Sequence, residues 1–157
     1  MPLQHPTVVR VTAALHAAGA VGEPIALEEA APTAAAAAAQ LGCDVGAIAN
    51  SLLFNADGQP LLVLTSGAHR VNTEVVAERI GAQQIGRADA DFVRRHTGMA
   101  IGGVAPLGHP APLHTLVDIA LARYPVVWAA AGHPNTVFPT SYAELLRITG
   151  GTASEVG

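Results

Sequence analysis

The sequence predicts an α+β fold built on a compact mixed β-sheet flanked by helices. Six or so short β-like segments are interspersed unevenly with helical segments, without the regular strand–helix alternation of a parallel α/β protein. Half of the 157 residues are apolar but only 4% are aromatic, so we expect a core built mainly from Ala, Val, Leu and Ile. No repeat or linker divides the chain, which predicts one domain over residues 1–157 with its core at about 25–150.

The first third of the chain predicts two helices and an edge strand. Val8, Val11 and Leu15 share one face of a helix over about residues 7–18. Residues 23–28 form a short alternating run with a proline, which is tolerated in an edge strand. The alanine run at 34–39 lies between an N-cap Thr and a stop Gly, so it predicts a short helix.

The strongest β signal is a hairpin in the middle of the chain. Residues 48–54 and 61–65 are apolar runs separated by Asn55-Ala56-Asp57-Gly58, whose residue types favour a tight turn. We expect both strands to be largely buried.

Local signals also predict the remaining elements. Helices are expected where a capping residue precedes a periodic segment and a glycine follows it, and strands where short apolar runs occur. The predicted helices are residues 73–80 after Asn72 or Thr73, 90–97 after Asp89, one or two turns over 118–123, and 142–148 after a Ser141–Glu144 capping box; the predicted strands are 84–87, 114–117, 126–130 and 136–138. The tail from Thr152 is expected to be frayed.

All eight basic residues are arginine, and the chain contains no lysine. This excludes a Schiff-base lysine and the lysine of a P-loop. The formal net charge is −4, whereas proteins that bind nucleic acid broadly usually present a basic face. Any contact with nucleic acid is therefore expected to be local.

The sequence gives no sign of a membrane segment or of an oxidising compartment. Every long uncharged run is interrupted by Pro, His or Gly, and Arg10 stands where a signal peptide needs its apolar segment. Cys43 is the single cysteine, so no internal disulfide can form, and a packed thiol is a more common role for it than a nucleophile. We expect a cytoplasmic protein without a membrane partner.

No metal or cofactor site is expected. The nearest trio among the seven histidines is His109, His114 and His133, but neither a His-Glu-x-x-His helix nor a pair of cysteines supports a metal. The chain has no Gly-x-Ser-x-Gly elbow, and its glycines match neither a dinucleotide fingerprint nor a Walker loop.

The stretch Ile101–Pro110 combines paired glycines with two prolines. Glycines allow backbone N–H groups to approach a ligand closely, and prolines fix the adjacent turns. The same composition also occurs in ordinary connections between elements, so the residues alone leave both interpretations open.

The order of the motifs resembles the YbaK/EbsC family of aminoacyl-tRNA deacylases, which are related to the editing insert of bacterial prolyl-tRNA synthetase. The motifs that carry the resemblance are Ile48-Ala-Asn-Ser-Leu-Leu-Phe54, Leu62 to Val71, Thr97-Gly-Met-Ala-Ile-Gly-Gly-Val-Ala-Pro-Leu-Gly108, Leu116-Val-Asp118 and Tyr142 to Gly150. The resemblance implies a barrel-like mixed sheet and hydrolysis of the ester between a wrongly chosen amino acid and the 3′ adenosine of a tRNA. It implies as partners the 3′ end of an aminoacyl-tRNA and a tRNA synthetase.

The resemblance also implies which residues form the site. Gly102 and Gly103 correspond to a loop whose backbone amides hold the aminoacyl carbonyl or the terminal ribose, an oxyanion-type role. His133 corresponds to a histidine near the amino-acid end of the substrate, where it either orients water or the amine or is a simple loop residue. The substrate-binding residues expected beside these are Ser51, Arg70, Val104 and Pro106, with Arg70 facing either a terminal phosphate or solvent.

Asn50 departs from the family pattern, which commonly has a lysine at this position that is important for activity and for the tRNA 3′ end. An amide donates hydrogen bonds but carries no charge. Three interpretations remain: a deacylase in which the amide of Asn50 positions the substrate, an enzyme for another ester, or a non-catalytic binder of tRNA or aminoacyl-adenosine.

Overall fold

The computed structural model describes residues 2–157, and within them one mixed sheet of eight strands is flanked by five α-helices. The strands are β1 (Ile25–Ala26), β2 (Ile48–Ala56), β3 (Gln59–Ser66), β4 (Ile85–Arg87), β5 (His114–Asp118), β6 (Val127–Ala130), β7 (Thr136–Thr140) and β8 (Thr152–Ser154). The helices are α1 (Pro6–Ala17), α2 (Ala34–Leu41), α3 (Thr73–Ile80), α4 (Ala90–Thr97) and α5 (Tyr142–Thr149). Short 3-10 helices lie at Pro2–Gln4, Val45–Ala47 and Ile119–Arg123.

The strand order is β1-β7-β6-β2-β3-β5-β8, and β4 pairs separately with β2. Four strand pairs are antiparallel (β1–β7, β2–β3, β2–β4 and β6–β7), and three are parallel (β2–β6, β3–β5 and β5–β8). A mixed sheet with helices spaced irregularly around it confirms the predicted α+β class.

The predicted hairpin is confirmed as β2 and β3, joined by a two-residue turn at Asp57 and Gly58. Both turn residues have positive φ, 51° and 90°, as a type I′ turn requires. The strands continue to the pair Ala56 and Gln59, beyond the predicted ends. The expectation that both strands are largely buried was wrong for β2, because Asn50 is exposed and Ser51, Leu52, Phe54 and Asn55 are only half-buried.

The middle of β2 lacks a neighbouring strand on one side. β6 pairs with β2 only at Ile48 and Ala49, and β4 pairs with it only from Phe54 onward. Residues 50–53 therefore pair with β3 alone, and we call this interruption the sheet gap. The sheet gap explains the exposure of β2, and it positions the site described below.

The main core lies between the sheet and the helices. Val8, Val11 and Leu15 of α1 are fully buried, as the helical periodicity predicted. Phe138 of β7 is the largest of the fully buried side chains in this core. Within residues 2–157, no helix combines the length and the apolar character needed to cross a membrane.

The expectation of a frayed C-terminal tail was wrong. Residues 152–154 form β8 in parallel with β5, and the Val156 side chain packs in a second core with Val76 and Leu116. The Asn72 N–H donates to the Val156 carbonyl over 2.6 Å. A three-residue strand of small residues gives no local signal, and only pairing with a distant strand orders it.

Candidate functional site

A cavity of about 410 Å³ opens at the sheet gap. Its walls come from β2, from the start of α2, from β6 and from the loops at residues 101–104 and 133–134. Most lining residues are apolar. The polar or aromatic ones include Asn50, Ser51, Arg87, Trp128 and His133, and Gly102 adds a backbone without a side chain. An apolar cavity with a few convergent polar groups is the usual form of a small-molecule site.

The two loop glycines have different environments. The Gly103 N–H donates to the Ala100 carbonyl over 3.1 Å, and Gly102 has a φ of 93°, as expected at the third position of a type II turn. Gly102 is exposed on the cavity wall, whereas Gly103 is buried. A Cβ on Gly103 would lie 3.1 Å from the Cα of His133, so this glycine allows close packing of two loops. Within residues 2–157, the Gly102 amide donates to no backbone or side-chain acceptor.

The His133 ring is held by its own loop. Its Nδ1 accepts a hydrogen bond from the Asn135 N–H over 3.1 Å, and its carbonyl accepts from the N–H and the hydroxyl of Thr136, both over 2.9 Å. Because Nδ1 is an acceptor, the proton of the neutral imidazole is assigned to Nε2. The His133 ring can therefore present a hydrogen-bond donor to a ligand while Nδ1 is occupied.

Not all of the site residues expected from the sequence meet at the cavity. Asn50, Ser51, Gly102, Val104 and His133 line it. Gly103 lies behind the wall, and Pro106 is buried away from the lining. Arg70 lies in a separate shallow depression beside Asn72 and Glu74. The structure therefore separates Arg70 from the other expected residues.

Two lining residues were missed by the sequence reasoning. Arg87 ends β4 and pairs with Phe54, which places it at the cavity. Trp128 lies in the strand predicted over 126–130; it is half-buried and forms part of the cavity wall. Both residues reach the cavity because β4 and β6 pair with opposite ends of β2, and no local motif signals such non-local pairing.

Within the described part of the chain, no three His, Cys, Asp or Glu side chains are grouped so as to hold a metal ion. Cys43 is half-buried and does not line the cavity. Burial and, to a smaller extent, the neighbouring Asp44 carboxylate raise the pKa of the Cys43 thiol, which favours its unreactive protonated form.

Comparison with known proteins identifies relatives of this chain. The model of the aminoacyl-tRNA editing domain matches residues 28–148. Proline–tRNA ligase from Bacillus licheniformis is 36% identical over 99 residues, which are 63% of this chain but only 17% of the ligase. The uncharacterized protein YwhH from Bacillus subtilis is 28% identical over 119 residues, 75% of each chain.

Solved structures show the same fold. The crystal structure of a candidate trans-editing enzyme for prolyl tRNA synthetase superposes with a TM-score of 0.91 at 36% identity, covering 96% of both chains. The hypothetical protein APE2540 superposes with a TM-score of 0.86 at 28% identity, covering 94% of this chain and 98% of its own. The family match over residues 28–148 confirms the resemblance found in the motifs: this chain belongs to the aminoacyl-tRNA editing domain family.

Proposed function

We propose that the chain is a trans-editing deacylase, which hydrolyses the ester bond between a wrongly attached amino acid and the 3′ end of a tRNA. One observation carries this proposal. A cavity inside the family-matched region brings together an unpaired backbone amide at Gly102, the amide side chain of Asn50 and a donor ring at His133. These groups are the kind that hold a carbonyl oxygen and a hydroxyl group without a covalent intermediate.

The Gly102 N–H is the donor for the oxygen of the attacked carbonyl. Water adds to the acyl carbon, and negative charge develops on this oxygen. The bond to the 3′ oxygen then breaks, and the 3′ oxygen takes the proton that the water gives up. A preorganised donor of this type typically contributes about 10²–10³-fold to the rate. This proposal assigns one amide to the role where the sequence suggested two, because the Gly103 N–H already donates to Ala100.

His133 and Asn50 position the reactants. The Nε2–H of His133 donates to the attacking water or to a ribose hydroxyl, and the Asn50 amide donates to a ribose or phosphate oxygen. An aminoacyl ester is already activated, so holding water and ester in a reactive geometry supplies much of the acceleration.

The tRNA 3′ end is the proposed partner, with Arg87 and Trp128 as further contacts. The guanidinium group of Arg87 supplies the positive charge that Asn50 lacks, and it suits a phosphate of the terminal nucleotides. The half-buried indole of Trp128 offers a surface on which a base can stack. The similarity to proline–tRNA ligase makes tRNAs mischarged by prolyl-tRNA synthetase the first substrates to test.

A panel of misacylated tRNAs tests the proposal. The purified chain is incubated with each tRNA, and loss of the labelled amino acid is compared with spontaneous hydrolysis in buffer. We expect deacylation of at least one combination of amino acid and tRNA. Its rate should be reduced in Asn50→Ala and should be at or above that of the wild type in Asn50→Lys. Hydrolysis no faster than in buffer for every pairing would refute the deacylase.

A non-catalytic binder of tRNA or aminoacyl-adenosine is the second candidate, favoured by the uncharged Asn50 side chain. It predicts binding of a charged tRNA without turnover. Hydrolysis by the wild type that is lost in Asn50→Ala would exclude this candidate.

A further inference from the structure

The unpaired edge of β2 in the sheet gap forms a polar wall within an apolar cavity. Residues 50–53 pair with β3 on one side and, within residues 2–157, with no strand on the other. Unpaired peptide groups at a strand edge are ready to bond with an extended partner. In this structure the edge faces a cavity of about 410 Å³, which is too small for another long strand but sufficient for a small ligand.

The hydrogen-bond phase of the hairpin shows which peptide groups face the gap. In an antiparallel pair, alternate residues exchange hydrogen bonds with the partner strand, and the residues between them direct their N–H and C=O to the other side. The Gly67 N–H donates to the Ile48 carbonyl over 2.8 Å, so Ile48 faces β3. By the same alternation Asn50 and Leu52 also face β3. The N–H and C=O of Ser51 and Leu53 therefore face the sheet gap.

Ser51 adds a second, independent feature. Its hydroxyl oxygen is buried and has no hydrogen-bond partner within the described residues. A buried polar group without a partner costs about 1–3 kcal/mol, and such groups are rare in native structures. Ser51 lines the cavity, and rotation about its Cα–Cβ bond to another staggered rotamer can bring the hydroxyl to a ligand there, which would supply the missing partner.

We infer that the free edge of β2 at Ser51 and Leu53 binds the α-amino and carbonyl groups of the aminoacyl ester, and that the Ser51 hydroxyl is a further contact of the amine. This inference rests on the proposed function and extends it to the group of the substrate that is recognised, the α-amine. The site discriminates against esters that lack this amine. Ser51 is its specificity-determining residue.

Stereochemical complementarity supports this assignment. A residue on a strand edge presents one donor and one acceptor on the same side, and an extended α-aminoacyl group presents the same pair through its amine and carbonyl. The amine therefore donates to a β2 carbonyl, and the acyl oxygen accepts from a β2 N–H. The acyl oxygen has two lone pairs, so it can also accept from the Gly102 N–H. The free edge of β2 thus supplies a second N–H donor for the acyl oxygen. The Gly103 N–H cannot fill this role, because it already donates to the Ala100 carbonyl.

The test compares two esters on the same tRNA: the aminoacyl group identified by the panel, and the same acyl group without its α-amine. Each rate is divided by the spontaneous hydrolysis rate of the same ester, because the amine also accelerates uncatalysed hydrolysis. We expect Ser51→Ala to lower kcat/KM about 10-fold for the aminoacyl ester, the effect of losing about 1.4 kcal/mol of hydrogen bonding. For the amine-free ester we expect Ser51→Ala to change kcat/KM less than about twofold. Ser51→Thr keeps the hydroxyl, so it should discriminate between the two esters as the wild type does.

A purely structural role of Ser51 would lower both rates equally, and this result, or no change in either rate, would overturn the inference. Binding provides a readout that does not require turnover. The two probes are adenosine analogues in which a stable amide replaces the ester, one with and one without the α-amine, and calorimetry should show about 10-fold tighter binding of the amine-bearing probe. Equal affinities, or no binding of either probe, would also overturn the inference. Preference for the amine without any hydrolysis would support the inference while refuting the deacylase.

Discussion

At the scale of single residues, two adjacent glycines are required for different reasons. Gly102 has a positive φ and lines the cavity, and nothing lies within 4 Å of the position that a Cβ would take. Gly103 has no such φ, but its Cα lies against the backbone of His133 and against Pro134. The first glycine serves the ligand, and the second sets the distance between the two loops that carry Gly102 and His133.

We expect Gly103→Ala to reduce kcat/KM about 10-fold while the protein stays folded. The new methyl group would lie 3.1 Å from His133 Cα, so the two loops must separate by a few tenths of an ångström. Small misplacements of positioning groups cost large factors in rate. Deacylation kinetics and a urea unfolding curve measured on the same sample separate the two effects. Unchanged kinetics would show that the loop spacing does not matter.

His109 predicts how stability depends on pH. Burial lowers the pKa of His109, outweighing the hydrogen bond from Nε2 to the Ala105 carbonyl (2.8 Å), which raises it, and nearby Arg10 lowers it further. The unfolded chain therefore takes up a proton on His109 at a higher pH than the folded chain. The contribution of His109 to stability is greatest above pH 6.5 and declines as the pH falls from there toward the lowered pKa.

The measurement is the urea midpoint of wild type and His109→Gln at several values between about pH 7.5 and 5. We expect the wild type to lose more stability on acidification than the variant, because glutamine does not titrate. Comparison of slopes, rather than of absolute stabilities, removes the cost of the substitution itself. Parallel pH profiles would contradict the prediction.

Some residues of the candidate site can be predicted from local sequence, and others cannot. Asn50 and Gly102 lie in contiguous motifs, so the sequence alone selects them. Arg87 and Trp128 reach the cavity only through the pairing of their strands with β2. Local sequence carries little information about which distant strands pair, and these two residues could not be predicted from it.

At the scale of elements, the helices were predicted well because their ends are determined locally. Side chains of Thr33, Asn72, Asp89 and Ser141 accept hydrogen bonds from the first turns of α2, α3, α4 and α5, as their residue types predicted. The capping box at Ser141 forms only in part, since the Glu144 carboxylate accepts instead from the Thr140 hydroxyl and the Val21 N–H. The sheet gap and β8 depend on non-local pairing, and the sequence did not predict them.

Asp118 connects several elements, and we expect Asp118→Ala to cost about 3 kcal/mol of stability. One carboxylate oxygen accepts from the Ser66 N–H over 2.9 Å and contacts the ring of His69 at 3.1 Å. The other oxygen accepts from the Ala120 N–H over 2.9 Å and so caps the 3-10 helix at 119–123. Alanine would leave these buried donors without partners. Chemical denaturation measures the loss.

Thr33→Ala is the matched control for Asp118→Ala. Thr33 is an N-cap that makes a single hydrogen bond to the exposed start of α2, so its loss should cost only about 1 kcal/mol. Equal costs for the two variants would show that the Asp118 carboxylate is an ordinary cap rather than a connection between β3 and β5.

At the scale of the whole molecule, the charge distribution restricts how a tRNA can bind. The formal net charge is −4, and two of the eight arginines are paired with carboxylates, Arg79 with Glu155 at 3.1 Å and Arg147 with Glu144 at 3.5 Å. Arg87, by contrast, lies at the cavity. This arrangement favours recognition of the tRNA 3′ end over recognition of the tRNA body, which would need a broad basic face.

Salt dependence gives this restriction a measurable form. Each phosphate contact to a single strand contributes about −0.7 to the slope of log K against log salt concentration. If one or two phosphates of the 3′ end are bound, with Arg87 at one of them, the wild-type slope should lie between about −0.7 and −1.4. Arg87→Gln should make this slope shallower by about 0.7. Arg123 is exposed and lies outside the cavity lining, so Arg123→Gln should leave the slope unchanged. A wild-type slope steeper than about −4 would indicate six or more contacts, which only the tRNA body can provide, and would contradict local recognition.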